Sequence, residues 1–79
     1  MVVINVGTNS FVMVSEIETI SPPESAPIKR LVNTAKDENR CIEVTYGKRV
    51  KSVIVLKSGK VVLSAVLPQT LAQRIAEKG

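Results

Sequence analysis

The sequence predicts an α+β fold: a small, mainly antiparallel sheet carrying two helices in the order β-β-β-α-β-β-β-α. Three observations lead there. Short runs of β-branched residues alternate with clusters of Gly, Asn, Ser and Thr. Two apolar stripes have the i, i+3, i+4, i+7 spacing of a half-buried helix, one following Pro27 and the other opening on Pro68. No internal repeat, linker or low-complexity stretch interrupts the chain, so residues 1–79 read as one domain.

Val2 to Val6 reads as the first strand, ended by the turn cluster Gly7-Thr8-Asn9-Ser10. Phe11 to Val14 is the second, apolar on both faces. After a break at Ser15 and Glu16, Ile17 to Ile20 forms a short third strand. Ser21 and Glu24 have capping-box spacing with Pro22 between them, but Pro27 would break a helix begun there. The main helix therefore starts near Ser25, with at most one turn before it. It buries Ile28, Leu31, Val32 and Ala35 and shows Lys29, Asn33 and Lys36 on another face, with Arg40 extending that face if the helix runs so far. Asp37-Glu38-Asn39-Arg40 ends it. From Cys41 a strand should place Ile42, Val44 and Tyr46 on one side, with Glu43 and Thr45 on the other. Gly47 reverses the chain into a strand from Val50 to Leu56. Ser58-Gly59 then turns a hairpin into Val61 to Val66. Pro68 opens the last helix, with a stripe of Pro68, Leu71, Ala72 and Ile75; Arg74 and Lys78 suit the dipole near its end.

A chain of 79 residues buries only about 60% of its unfolded surface, so small domains need reinforcement. Cys41 is alone and no histidine occurs, which removes an internal disulfide and the usual zinc ligands. Self-association is the remaining supplement. Acid–base catalysis lacks its commonest residue, the carboxylates are scattered, and no Gly-rich phosphate loop is present. We expect no enzyme, no cofactor and no small-molecule substrate. Aliphatic runs reach four residues, far below the roughly 20 of a membrane span, and no basic n-region precedes the first of them. A cytoplasmic protein with no membrane partner is expected.

Eleven Lys and Arg against seven Asp and Glu give a net charge of +4 and a pI near 9.6. That balance is the electrostatic footprint of a nucleic-acid partner. Lys48, Arg49 and Lys51 concentrate it beside Gly47, between two strand-forming runs. Such a cluster repels itself unless an anion answers it. Lys29 and Arg30 supply secondary contacts from the first helix. The only aromatics are Phe11 and Tyr46, too few for a base-stacking platform, which moves weight from single-stranded RNA to duplex DNA.

Pro23-Glu24-Ser25-Ala26-Pro27-Ile28-Lys29-Arg30, Thr45-Tyr46-Gly47-Lys48-Arg49, Val62-Leu63-Ser64-Ala65-Val66, Gln69-Thr70 and Arg74 together resemble the RemA family of extracellular-matrix regulatory proteins. The resemblance runs over nearly the whole chain. It implies a small DNA-binding transcriptional regulator, each protomer similar to half of a LytTR-type domain, assembling into a ring-shaped homo-oligomer such as an octamer. DNA would follow the ring's outer wall within the nucleoid. The family's Tyr-Gly-Arg-Arg-Thr motif maps onto Tyr46-Gly47-Lys48-Arg49-Val50. This chain therefore departs from it at Lys48 and Val50, and also at Glu16, where family members can carry arginine. An RNA-binding ring and an adaptor for acidic protein partners are the rival readings.

Overall fold

The computed structural model describes residues 2–7 and 9–78. Thr8, inside the expected first turn, lies outside them, as do both chain ends, Met1 and Gly79. The described elements are β1 (Val3–Gly7), β2 (Ser10–Met13), a 3-10 turn (Val14–Glu16) and β3 (Ile17–Ser21), followed by α1 (Ala26–Asp37) and β4 (Cys41–Glu43). After these come β5 (Ser52–Leu56), β6 (Val61–Ser64) and α2 (Pro68–Lys78). The α+β class and the element order agree with expectation. The strands do not form one sheet, however. β1 and β2 make an antiparallel pair of their own, while the other four lie in the order β3-β5-β6-β4.

Strands β5 and β6 form the centre, and their alternation explains the layers. Val53, Val61 and Leu63 face α1, where they meet Ala35 with Ile28, Leu31 and Val32 around it. Ile54 and Val62 face the other way, against Ile4 and Val6 of β1 and Leu71 of α2. Both faces of the middle strands are therefore covered. Each stripe read from the sequence does its packing, except that Ala72 is exposed and the half-buried Arg74 takes a place beside β1 instead.

Chain punctuation follows backbone chemistry. Ser25 sits at the N-cap of α1 with extended φ, although its hydroxyl makes no capping bond; Pro27 is tolerated in the first turn, where no intrahelical N–H bond is lost. The segment from Pro22 to Glu24 is a turn rather than a helix. At the other end Asn39 adopts φ 57°, and the N–H groups of Asn39 and Arg40 bond the carbonyls of Lys36 (3.2 Å) and Ala35 (2.7 Å). That pair of bonds is a Schellman ending. Arg40 consequently leaves the helix and does not extend its polar face. Its guanidinium binds the Gly59 carbonyl and Glu38, fastening the β5–β6 hairpin to the end of α1. In that hairpin Leu56 pairs with Lys60, and the Gly59 N–H donates to the Leu56 carbonyl at 2.9 Å. Gly59 takes φ 95°. The turn is a three-residue loop with glycine in the bulge position, centred one residue earlier than the Ser58-Gly59 pair suggests.

The largest correction concerns β4. It does not form a hairpin with β5; it pairs in parallel with β6 through Cys41–Glu43, at the sheet edge. One side of β5 is occupied by β3 and the other by β6, so β4 has no place next to it. The chain must then cross the end of β6 to reach β5. Residues 44–51 make that crossing as a loop, and the alternation expected from Ile42 to Tyr46 fails because the strand has already ended. Thr45 is buried, and Tyr46 is 68% exposed. Cys41 is half-buried against the α1 layer.

Candidate nucleic-acid interface

The loop from Val44 to Lys51 is built by a few backbone bonds to a strand that follows it in the chain. The Val44 N–H donates to the Leu63 carbonyl at 3.0 Å, and the Lys51 N–H to the Ser64 carbonyl at 2.8 Å. Between these anchors, the Lys48 N–H closes a turn on the Thr45 carbonyl at 3.1 Å. Its central residues, Tyr46 (φ 52°) and Gly47 (φ 84°), both have positive φ, the sign pattern of a type I′ turn. A Cβ on Gly47 would meet nothing within 4 Å, so glycine is needed there for its backbone freedom alone.

Beneath the turn lie three buried hydroxyls, each with a partner. Thr45 donates to Glu43 Oε2 at 2.6 Å, Ser52 donates to the Val66 carbonyl, and Ser64 donates to the Val6 carbonyl. Ser64 also accepts the Val66 N–H at 3.0 Å. Polar groups buried in this way cost free energy unless bonded, so the network fixes where β1, β6 and the loop meet. Gly7 sits at that junction. A Cβ on it would lie 2.7 Å from the Val44 carbonyl oxygen, so β1 approaches the loop more closely than a side chain permits.

The expected cations sit on this platform, held by a loop rather than by strands. Lys48, Arg49 and Lys51 are all exposed. Arg49 and Lys51 line a cleft of about 510 Å³ together with Glu24 and the first residues of α2, Pro68 and Gln69. Lys29 and Lys36 line a second cleft of about 310 Å³, reaching from α1 to Val50 and Val53. Val50 is shared by both clefts. Half-buried against the layer that contains Val53 and Leu63, it pins the loop between two cationic grooves. Lys29 thus joins the loop's surroundings; Arg30, though exposed, lines neither cleft. Among the described residues the only ion pair is Arg40 with Glu38, so none of Lys48, Arg49, Lys51, Lys29 and Arg30 is neutralised by a carboxylate.

Two further residues belong here. Tyr46 combines an aromatic ring in solvent with a backbone conformation that bulky residues avoid. Neither packing nor propensity accounts for it, and such outliers gather at functional sites. A turn dipeptide containing Gly was legible; a left-handed tyrosine was not, because Asn or Asp is the usual occupant. Arg74, read from the sequence as a dipole partner, instead donates from Nη1 to the Asn5 carbonyl at 2.8 Å and lines a third cleft with Lys48.

The sequence profile described as "Extracellular matrix regulatory protein A-like" matches residues 3–75. A protein of Shouchella clausii is 49% identical over 75 residues, covering 95% of this chain and 86% of its own. Proteins of Halalkalibacterium halodurans and Dictyoglomus turgidum are each 48% identical over the same length, covering 86% and 88% of their own chains. All three bear the name "putative regulatory protein". With a family profile spanning nearly every residue and relatives at almost half identity, the chain belongs to the RemA-like family.

Proposed function

We propose that this chain is a non-enzymatic transcriptional regulator of extracellular-matrix genes that binds duplex DNA as a ring-shaped homo-oligomer in the cytoplasm. The observation that carries the reading is the cluster of exposed cations around the 44–51 loop, none of them in an ion pair among the described residues: Lys48, Arg49 and Lys51, with Lys29 from α1. Arg30 lies farther round the same helix and gives an outer contact. Family membership and the names of the relatives support a regulatory role. The first turn of α2 borders the Arg49–Lys51 cleft, and the positive end of a helix dipole favours a phosphate there. Lys48 and Arg49 supply different contacts, a point charge and a planar fork.

One protomer neutralises few phosphates, so affinity must come from repetition, with each contact after the first made intramolecularly. An apolar surface is available for assembly. Phe11 and Met13 of β2 and Ile42 of β4 are 62%, 37% and 43% exposed, around a cleft of about 270 Å³ that Leu56 and Val62 also line. Among the described residues, no helix is long and apolar enough to cross a membrane.

Arg49→Ala is the direct test. Duplex affinity should fall, and the slope of log K against log salt should flatten by about one unit per subunit engaged. An unchanged slope and affinity would remove Arg49 from the interface. Tighter binding of single-stranded RNA than of duplex at equal salt would favour the RNA reading. Absence of any shift with promoter-length DNA at low salt would favour an adaptor for acidic proteins.

A further inference from the structure

The cleft of about 300 Å³ shared by Lys48 and Arg74 has a lining unlike the others. Asn5, Thr45, Lys48 and Arg74 supply its side-chain polar groups, and no carboxylate lines it. Arg74 is half-buried and spends one N–H on the Asn5 carbonyl, which holds the guanidinium in place. A guanidinium has five N–H donors, so most of its capacity is left over, and no carboxylate among the described residues takes it up. Asn5 Oδ1 accepts the Gly7 N–H at 2.9 Å, which leaves the amide nitrogen as the uncommitted end of that side chain. The Thr45 hydroxyl is committed to Glu43 and adds no donor. The donors that remain are a planar fork, an ammonium and an amide, two of them cationic. Such a set matches a tetrahedral oxyanion, with arginine gripping two oxygens and lysine acting as a point charge. The volume sits at the small end of small-molecule sites, ~300–1,000 Å³.

We infer that Arg74, Lys48 and Asn5 form a phosphate-binding pocket, separate from the Arg49–Lys51 cleft and coupled to it through the 44–51 loop. The pocket stands on its own geometry but shares Lys48 with the proposed DNA interface, so occupancy bears on DNA binding. The phosphate belongs either to the DNA backbone or to a small phosphorylated molecule, and the chemistry of the pocket is the same for both.

Titrating the full chain with inorganic phosphate, with sodium chloride adjusted to constant ionic strength, tests the site by amide chemical shifts. Saturable shifts should appear at Asn5, Gly7, Thr45 and Lys48, with at least tenfold weaker binding in Lys48→Gln and in Arg74→Gln. Lys48 is exposed and makes no side-chain bond among the described residues, so its variant keeps the fold even if loss of the Arg74–Asn5 bond loosens α2. Shifts that grow linearly and scatter over all surface cations, or saturation that survives both substitutions, would overturn the pocket. Its phosphate source is read from duplex binding. A flatter salt dependence in Arg74→Gln assigns the pocket to a backbone phosphate, whereas an unaltered slope alongside saturable phosphate binding assigns it to a free phosphorylated molecule. If the chain shows no duplex binding at low salt while phosphate still saturates, the DNA reading fails and the pocket stands. The reverse pattern sinks the pocket alone.

Discussion

Tyr46 shows how a single residue can be read against its own backbone. A left-handed conformation costs a side-chain-bearing residue about 1–2 kcal/mol, and asparagine tolerates it best. The exposed ring gains little from burial in return. Tyr46→Asn should therefore raise stability to urea by about 1 kcal/mol, while duplex affinity falls if the ring lies against DNA. Gly47→Ala should destabilise by a similar ~1–2 kcal/mol from backbone strain alone, since a Cβ there meets no neighbour. Cys41 gives a pH dependence. Burial pushes its thiol above the usual 9.0, Lys36 pulls it back and Glu43 adds to the rise. Its folded value is the higher one, so the contribution to stability is complete below pH 9 and is lost as the pH climbs through the folded value. Denaturant midpoints of the wild type and Cys41→Ala, compared from pH 8 to pH 10.5, should diverge in that sense. Alkylation of the native thiol at neutral pH should be slow.

Among the elements, α1 was the most legible, because Ile28, Leu31, Val32 and Ala35 repeat at helical spacing and Pro27 limits where the helix can begin. The β5–β6 hairpin was nearly as clear from Gly59. β4 was not, because a three-residue strand carries too little pattern to reveal its partner. Parallel pairing with β6 is decided by which places in the sheet are already taken. For the same reason the cations were expected at a tight reversal between two successive strands and are found on a crossing loop. Arg40 was missed as a fastening because its partner, the Gly59 carbonyl, lies 19 residues away. Arg40→Ala should lower stability by about 1–2 kcal/mol, more than an exposed ion pair alone is worth. Ser64→Ala should cost about 1–3 kcal/mol, since it strips the Val6 carbonyl and the Val66 N–H of a buried partner. Urea titrations with an unchanged m-value would check both.

At the scale of the whole molecule, charge and size point to a polyanion and to self-association; the cationic residues proposed for the first are named by the sequence, and the exposed apolar face proposed for the second comes from the structure. Phe11 is on the surface, so Phe11→Asp should leave the protomer folded. Light scattering should then show a smaller particle, and duplex affinity should drop by far more than the added charge explains. An oligomer of unchanged mass would place the subunit contact elsewhere. The crossing of residues 44–51 over the end of β6 also sets an order of events during synthesis. The loop emerges from the ribosome before Leu63 and Ser64, whose carbonyls receive its N–H groups. A nascent chain that stops short of those residues has made every lysine and arginine of the loop yet cannot hold them in array. The ordered loop thus waits for a later stretch of polypeptide, and truncated products would carry its charge without its shape.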